Sequence, residues 1–212
     1  ANGGTLDDNT QSVVYDSNVT LKTPSRDAYT FAGWYNGDVL VSSGVWAIAD
    51  NVTLVAHWTK NNFKITYNLN GGTNDGDNPL SYVISEKDIT INDPAKTGYT
   101  FLGWSVSGSN EKRENYVIEA GAWGDLSLTA NWQANTYAIT YDYNDGATEK
   151  TTQNVTFDSA YKLIVPTRNG YDFNGWYIGD EKITDGTYKT ASDITLKATW
   201  KIITYTISYD LG

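Results

Sequence analysis

Three near-copies of one aromatic heptapeptide set the frame for this chain: AYTFAGW at 28–34, GYTFLGW at 98–104 and GYDFNGW at 170–176. Their tryptophans, Trp34, Trp104 and Trp176, recur at a period of about 70 residues. A second phrase follows each copy: VTLVAHW at 52–58, LSLTANW at 126–132 and ITLKATW at 194–200. A third precedes it, as FKITYNLNGG at 63–72 and YAITYDYNDG at 137–146. A chain of 212 residues written this way reads as a row of small modules rather than one domain with a single core. The phrases divide it into repeat 1 (1–60), repeat 2 (61–134), repeat 3 (135–202) and a tail (203–212).

The opening ANGGT matches LNGGT at 69–73, and YTISYDLG at 205–212 matches FKITYNLN at 63–70. Repeat 1 is therefore expected to lack its first strand, and the tail to be a first strand of a following repeat. The connectors TKNN (59–62), QANT (133–136) and KIIT (201–204) are too short to allow much motion between modules. The expected arrangement is an elongated array. Residues 203–211 are also a candidate donor strand. A vacant sheet edge in repeat 1 would accept the tail of a neighbouring molecule, giving head-to-tail self-association. Methionine is absent, so the chain does not begin at a start codon and reads as a segment of a longer protein.

Within a repeat the dominant period is two. Phe63, Ile65, Tyr67 and Leu69 alternate with Lys64, Thr66 and Asn68, and Asn70-Gly71-Gly72 ends the run. Ser81–Ile84 and Ile89–Ile91 read as extended pieces ending before Pro94, whose counterparts are Pro24 and Pro166. In the closing phrase Val52, Leu54, Ala56 and Trp58 share the predicted core face, while Thr53, Val55 and His57 face water. No segment has a long 3.6-residue period, so helix is expected to be minor.

Strict alternation through the heptapeptide would put its tryptophan on the exposed face with Thr30 and Ala32, or with Asp172 and Asn174. A glycine inside a strand often marks a bulge that resets parity. Gly33, Gly103 and Gly175 are the predicted bulge positions. They would turn Tyr29, Phe31 and Trp34, Tyr99, Phe101 and Trp104, and Tyr171, Phe173 and Trp176 to one side. Ala28 stands where the other copies have Gly98 and Gly170, which argues against a need for positive φ there.

These residues carry a family pattern. The order Pro, GY-x-F-x-GW and L-x-A-x-W, preceded by an aromatic strand ending in Gly-Gly, resembles the Listeria–Bacteroides repeat, the internalin B-type B-repeat. The resemblance spans all three copies and the tail. It implies a mainly β fold of the α+β, β-grasp (ubiquitin-like) kind, in small tandem modules. It also implies an extracellular place on the bacterial cell surface, a spacer or stalk role and a contribution to adhesion, without catalysis or cofactor. Partners implied in this way are a host or matrix protein or a glycan, including glycosaminoglycans for basic members.

Composition bears on those partners. The net charge is −10, and every repeat is acidic. No segment offers a basic face, which argues against nucleic acid, heparin-like polymers and anionic membranes. Cysteine is absent, so disulfides, thiolate metal sites and a cysteine nucleophile are excluded.

Aromatics at 14% of the chain could be module glue or a sugar-binding platform. A module of about 70 residues without disulfides needs dense aromatic packing, so Trp34, Trp58, Trp104, Trp132, Trp176 and Trp200 are assigned to the core. Trp46, matched by Tyr188, is assigned there too. Trp123 has no counterpart and is the candidate ligand contact, with a repacked core residue as the competing reading. His57 is the sole histidine and lies on a predicted solvent face, which leaves no Ser-His-Asp triad to build. Asn74-Asp75-Gly76-Asp77-Asn78 suggests a calcium loop but lacks an EF-hand register, so an ordinary turn is expected. The function expected is a spacer; the alternative is a carbohydrate- or matrix-binding module using exposed aromatics.

Overall fold

The computed structural model describes residues 3–212; Ala1 and Asn2 of the opening ANGGT lie outside the described residues. The chain falls into two compact units, Ala1–Asn68 with Asp75–Asp93 and Trp104–Thr129, and Leu69–Asn74 with Pro94–Gly103 and Ala130–Gly212. Repeat 1 lies in the first unit, repeat 3 in the second, and repeat 2 contributes to both. The structure is mainly β in three tandem repeats, with no helix among the described residues. This corrects the α+β expectation. The stretch that must cross from the second strand to the heptapeptide is short and proline-bounded, and it forms two-stranded ribbons instead of a helix.

Repeat 3 carries the fullest sheet. Its first strand, Thr136–Asp142, pairs antiparallel with Thr151–Thr156 on one side and parallel with the closing strand, Ile194–Ile202, on the other. The closing strand pairs antiparallel with the heptapeptide strand, Tyr171–Ile178, which hairpins into the return strand Glu181–Ile183. A detached ribbon joins Ala160–Tyr161 to Gly186–Thr187. Period two does the sorting: Leu196 and Ala198 are fully buried while Thr195 and Lys197 are exposed. The core they enter contains Ile139, Tyr141, Val155, Trp176 and Tyr188. Each large side chain buried there contributes about 1.5–3 kcal/mol.

Repeat 2 repeats the plan with Asn62–Asn68, Ser81–Val83, Tyr99–Val106 and Leu126–Ala134, in the order second, first, closing, heptapeptide. Its parallel register, Leu126 with Ile65 and Leu128 with Tyr67, is that of Ile194 with Ile139 and Leu196 with Tyr141. Among the described residues, the main sheet of repeat 1 has the return, heptapeptide and closing strands, Val39–Val41, Tyr29–Asn36 and Val55–Lys60, beside a ribbon of Asn18–Val19 with Gly44–Val45. Val52 is the counterpart of Leu126 and Ile194, where the other closing strands begin, yet here the strand starts at Val55.

The heptapeptide strand shifts register between Phe31 and Gly33, and again between Phe173 and Gly175. Two residues there face one across the ladder, so the parity resets. Gly33, Gly103 and Gly175 have φ of 142°, 116° and 140°. A Cβ on Gly175 would stand 2.5 Å from Cε of Lys182, and one on Gly33 would stand 2.6 Å from Cδ1 of Leu40. The reading of Ala28 is corrected: its φ is 66°, beside 78° at Gly98 and 79° at Gly170, so all three copies adopt the left-handed conformation there.

Candidate functional surfaces

The heptapeptide phenylalanines and tryptophans are spent inside each module. Phe31 meets Trp34 and Trp58 edge-on at 5.4 and 5.5 Å, and Phe173 meets Trp176 and Trp200 at 5.4 Å each. Phe101 meets Trp132 at 5.2 Å. Edge-to-face packing at these distances adds to simple burial. Each heptapeptide indole N–H donates to the carbonyl twelve residues before it: Trp34 to Lys22 at 2.7 Å, Trp104 to Asn92 at 3.3 Å and Trp176 to Ile164 at 2.6 Å. Trp104 and Trp176 are buried, while Trp34 is half-buried. Trp132 donates to Leu69 at 2.9 Å and Trp200 to Tyr143 at 2.7 Å. Trp58 Nε1 is buried without a hydrogen-bond partner among the described residues; its counterpart acceptor position is Ala1, outside them. The three tyrosines, Tyr29, Tyr99 and Tyr171, are half-buried under a cation: Arg26, Lys96 and Arg168 lie 3.8, 4.0 and 4.0 Å from the ring centres.

A second recurring contact sits at the module junctions. Asn61 N–H donates to Ala28 O, Asn135 N–H to Gly98 O and Ile203 N–H to Gly170 O, each at 2.9 Å. The left-handed turn at Ala28 aims its carbonyl at the connector, which explains the positive φ. Within the first unit Lys60 Nζ donates to Ile84 O at 2.8 Å, joining repeat 1 to repeat 2. Within the second unit Phe157 of repeat 3 seats on Gly98, where any Cβ would clash with its ring, and meets Tyr99 edge-on at 5.6 Å. Phe157 N–H donates to Asn135 O at 2.9 Å, and Tyr99 Oη donates to Asp158 at 2.6 Å. The hydrogen bond and ion pair from Lys189, then the Tyr99 hydroxyl, hold the Asp158 carboxyl below its ordinary range. The same bond to Asp158 raises the Tyr99 hydroxyl. A cleft of about 690 Å³ opens at this junction between Lys96, Tyr99, Trp132, Phe157 and Lys189.

Trp123 is 55% exposed. Its turn is fixed by Ala120 N–H to Asp88, Gly121 N–H to Ser85 O, and the buried Tyr82, whose hydroxyl donates to Gly124 O at 2.7 Å. Of the two readings for Trp123, the repacked core residue is thereby set aside. His57 is exposed and stacks on Tyr35 at 4.0 Å. In the 74–78 loop Asp75 accepts from Asp77 N–H and from Asn92, and Asn78 bonds both ways with the Asn92 backbone. That loop is a self-satisfied turn. No group of three or more potential ligand residues converges among the described residues. Among the described residues no helix is long and apolar enough to cross a membrane.

The profile of the Listeria-Bacteroides repeat domain matches residues 1–57, 63–131 and 137–199. This chain belongs to that family. A protein of Evansella cellulosilytica named as a Gly-rich membrane protein is 28% identical over 95% of this chain and 24% of its own length. Internalin H of Listeria monocytogenes is 34% identical over 50% of this chain and 20% of its own length. The chain thus spans about a quarter or less of the curated relatives it matches.

In this Listeria-Bacteroides repeat chain, sequence reasoning missed the junction set of Ala28, Lys60, Ile84, Gly98, Phe157 and Asp158. One signal was available. Phe157-Asp158 has the counterpart Tyr15-Asp16, so an aromatic-acid pair recurs just after the second strand position.

Proposed function

We propose that the chain is a non-catalytic spacer segment of a bacterial surface protein, extracellular in placement, that holds other domains apart and contributes to adhesion. The observation that carries this is the repeated junction: at each connector a backbone N–H is pinned to the carbonyl that opens the heptapeptide. Such pinning converts a short linker into a fixed joint. The strand order second, first, closing, heptapeptide, return, with a parallel central pair, favours a β-grasp module whose crossover has lost its helix. The relatives' names, a membrane protein and an internalin, support the surface placement. The indoles are largely committed to their own modules, and the lone histidine stands apart from any nucleophile elbow. Both favour a mechanical role over a catalytic one.

The test uses the absence of cysteine. Cysteines introduced at exposed Val39 and Glu181 carry two dyes, and single-molecule energy transfer reads the distance between repeats 1 and 3. A spacer gives one narrow distribution. A broad distribution spread over many distances would show free joints and remove the reading.

Trp123 favours a second reading, in which the repeats bind a glycan or matrix protein through an exposed indole. A glycan and matrix-protein panel tests it. Binding lost on Trp123→Ala would place that reading first.

A further inference from the structure

The joint from repeat 1 to repeat 2 and the joint from repeat 2 to repeat 3 share one frame and differ in one pair of side chains. Each joint lies within a single compact unit. In the first, Asn61 N–H donates to Ala28 O, and the Thr30 hydroxyl donates to the Asn61 side chain at 2.6 Å. In the second, Asn135 N–H donates to Gly98 O, and the Thr100 hydroxyl donates to the Asn135 side chain, again at 2.6 Å. The incoming repeat meets this frame with the residue that follows its second strand. Val83 pairs with Asn62 and Thr156 with Thr136, so Ile84 and Phe157 hold equivalent positions one residue further on.

The two positions are filled to different sizes. Gly98 lies under the face of the Phe157 ring. A Cβ there would fall inside contact distance of Cγ, Cδ1 and Cδ2 at once. The ring has little freedom to withdraw, since Tyr99 and Tyr137 flank it edge-on at 5.6 and 6.5 Å. A residue without a Cβ is what this seat requires. At the first joint the opening residue is alanine, at a φ of 66° and only 5% exposed. The same backbone turn therefore carries a buried methyl. The residue delivered to it is the half-buried Ile84, whose carbonyl accepts from Lys60 Nζ at 2.8 Å. A phenyl ring at position 84 would meet the Ala28 methyl as Phe157 would meet a Cβ on Gly98. The polar flank changes with the pair, since Ser85 stands where Asp158 stands beside Tyr99.

We propose that the heptapeptide end of each repeat is a docking surface selective for the repeat that follows it. An opening glycine takes an aromatic ring, and an opening alanine takes an aliphatic side chain. The partner is a second module of the same kind, and the pairs Ala28–Ile84 and Gly98–Phe157 determine the specificity. The inference rests on the joints being fixed, and it adds that they are not interchangeable. An alanine-opened repeat rejects a ring-bearing successor by steric conflict, so selection works against the wrong neighbour as well as for the right one. The order of modules along the array is then set by these pairs.

Native-state hydrogen exchange on the 1–212 chain reads each joint separately, at the Asn61 amide and at the Asn135 amide. At the second joint, Gly98→Ala is expected to lower protection of the Asn135 amide at least about 10-fold, and far less in the Phe157→Ile background. The backbone strain of an alanine at positive φ is common to both backgrounds and drops out of the comparison. At the first joint, Ile84→Phe is expected to lower protection of the Asn61 amide by about 10-fold, and Ala28→Gly in the same chain to restore it. Additive effects in either pair of substitutions would overturn the selectivity. Where Gly98→Ala unfolds repeat 2, the first joint still decides, because Ala28→Gly opens space there. Amides already unprotected in the parent would overturn the fixed joints themselves, so the two failures are told apart.

Discussion

The Tyr99 hydroxyl donates to the Asp158 carboxylate at 2.6 Å and so ties the heptapeptide of repeat 2 to the turn after the second strand of repeat 3. The two residues are 59 apart in sequence, and they meet beside Phe157, which seats on Gly98. Removing the bond should uncouple the two repeats rather than unfold either. In Tyr99→Phe the urea transition is expected to broaden, with a smaller apparent m, as repeats 2 and 3 cease to unfold together. An unchanged m would mean the junction does not transmit stability.

The same pair gives a pH prediction at each end of the scale. The Asp158 carboxyl is held below its ordinary value of 3.8, so its folded state binds fewer protons than its unfolded state near that pH. Its contribution is fully present above 3.8 and is lost as pH falls through the depressed folded value. The Tyr99 hydroxyl is raised above 10.0, so its contribution is present below that pH and is lost as pH rises through the raised folded value. Thermal midpoints of the parent and Asp158→Asn should differ at neutral pH and converge in acid. A gap that stays constant through the acid range would contradict this.

Indole burial predicts a graded series. Trp104 is fully buried, so Trp104→Ala should cost about 3–5 kcal/mol in urea unfolding. Trp123 is 55% exposed, so Trp123→Ala should stay within about 0.5 kcal/mol of the parent. Equal costs at the two sites would mean that the repeated tryptophans are not the glue.

The bulge makes a sharper demand. At Gly175 a side chain meets both a φ of 140° and the Lys182 methylenes. Gly175→Ala is expected to cost about 1–3 kcal/mol. At Gly186 nothing lies within 4 Å of an added Cβ, so Gly186→Ala serves as a control of near-zero cost. Comparable denaturation midpoints for the two variants would rule out strain at the bulge.

How much of this was legible follows from how far each force acts along the chain. The closing strand could be read directly, because Leu196 and Ala198 alternate with Thr195 and Lys197 under a local rule. The register shift at Gly33 and Gly175 was legible because alternation alone would have stranded Trp34 and Trp176 on the wet face. The conformation of Ala28 was not. Its positive φ serves a carbonyl that must reach Asn61, a contact between segments far apart in sequence that leaves no periodic trace. The seat of Phe157 on Gly98 was hidden for the same reason. Trp123 stayed undecided because no counterpart exists in the other repeats, and its exposure depends on Tyr82 holding the neighbouring Gly124 carbonyl.

Acrylamide quenching separates the glue from the contact surface. The quencher is neutral, so a net charge of −10 does not repel it. Trp46, Trp104 and Trp176 are buried, and Trp34, Trp58, Trp132 and Trp200 are half-buried against their own modules. Most emission should therefore be blue-shifted and protected, with a red-shifted quenchable fraction. That fraction should vanish in Trp123→Phe, because Trp123 is the one exposed indole among the described residues. A quenchable fraction that survives the substitution would locate open indoles elsewhere, and half-buried Trp34 is the first to test. If quenching persists when Trp34→Phe is added to Trp123→Phe, the aromatic surface is wider than these two indoles, and the spacer reading gives way to the binding one.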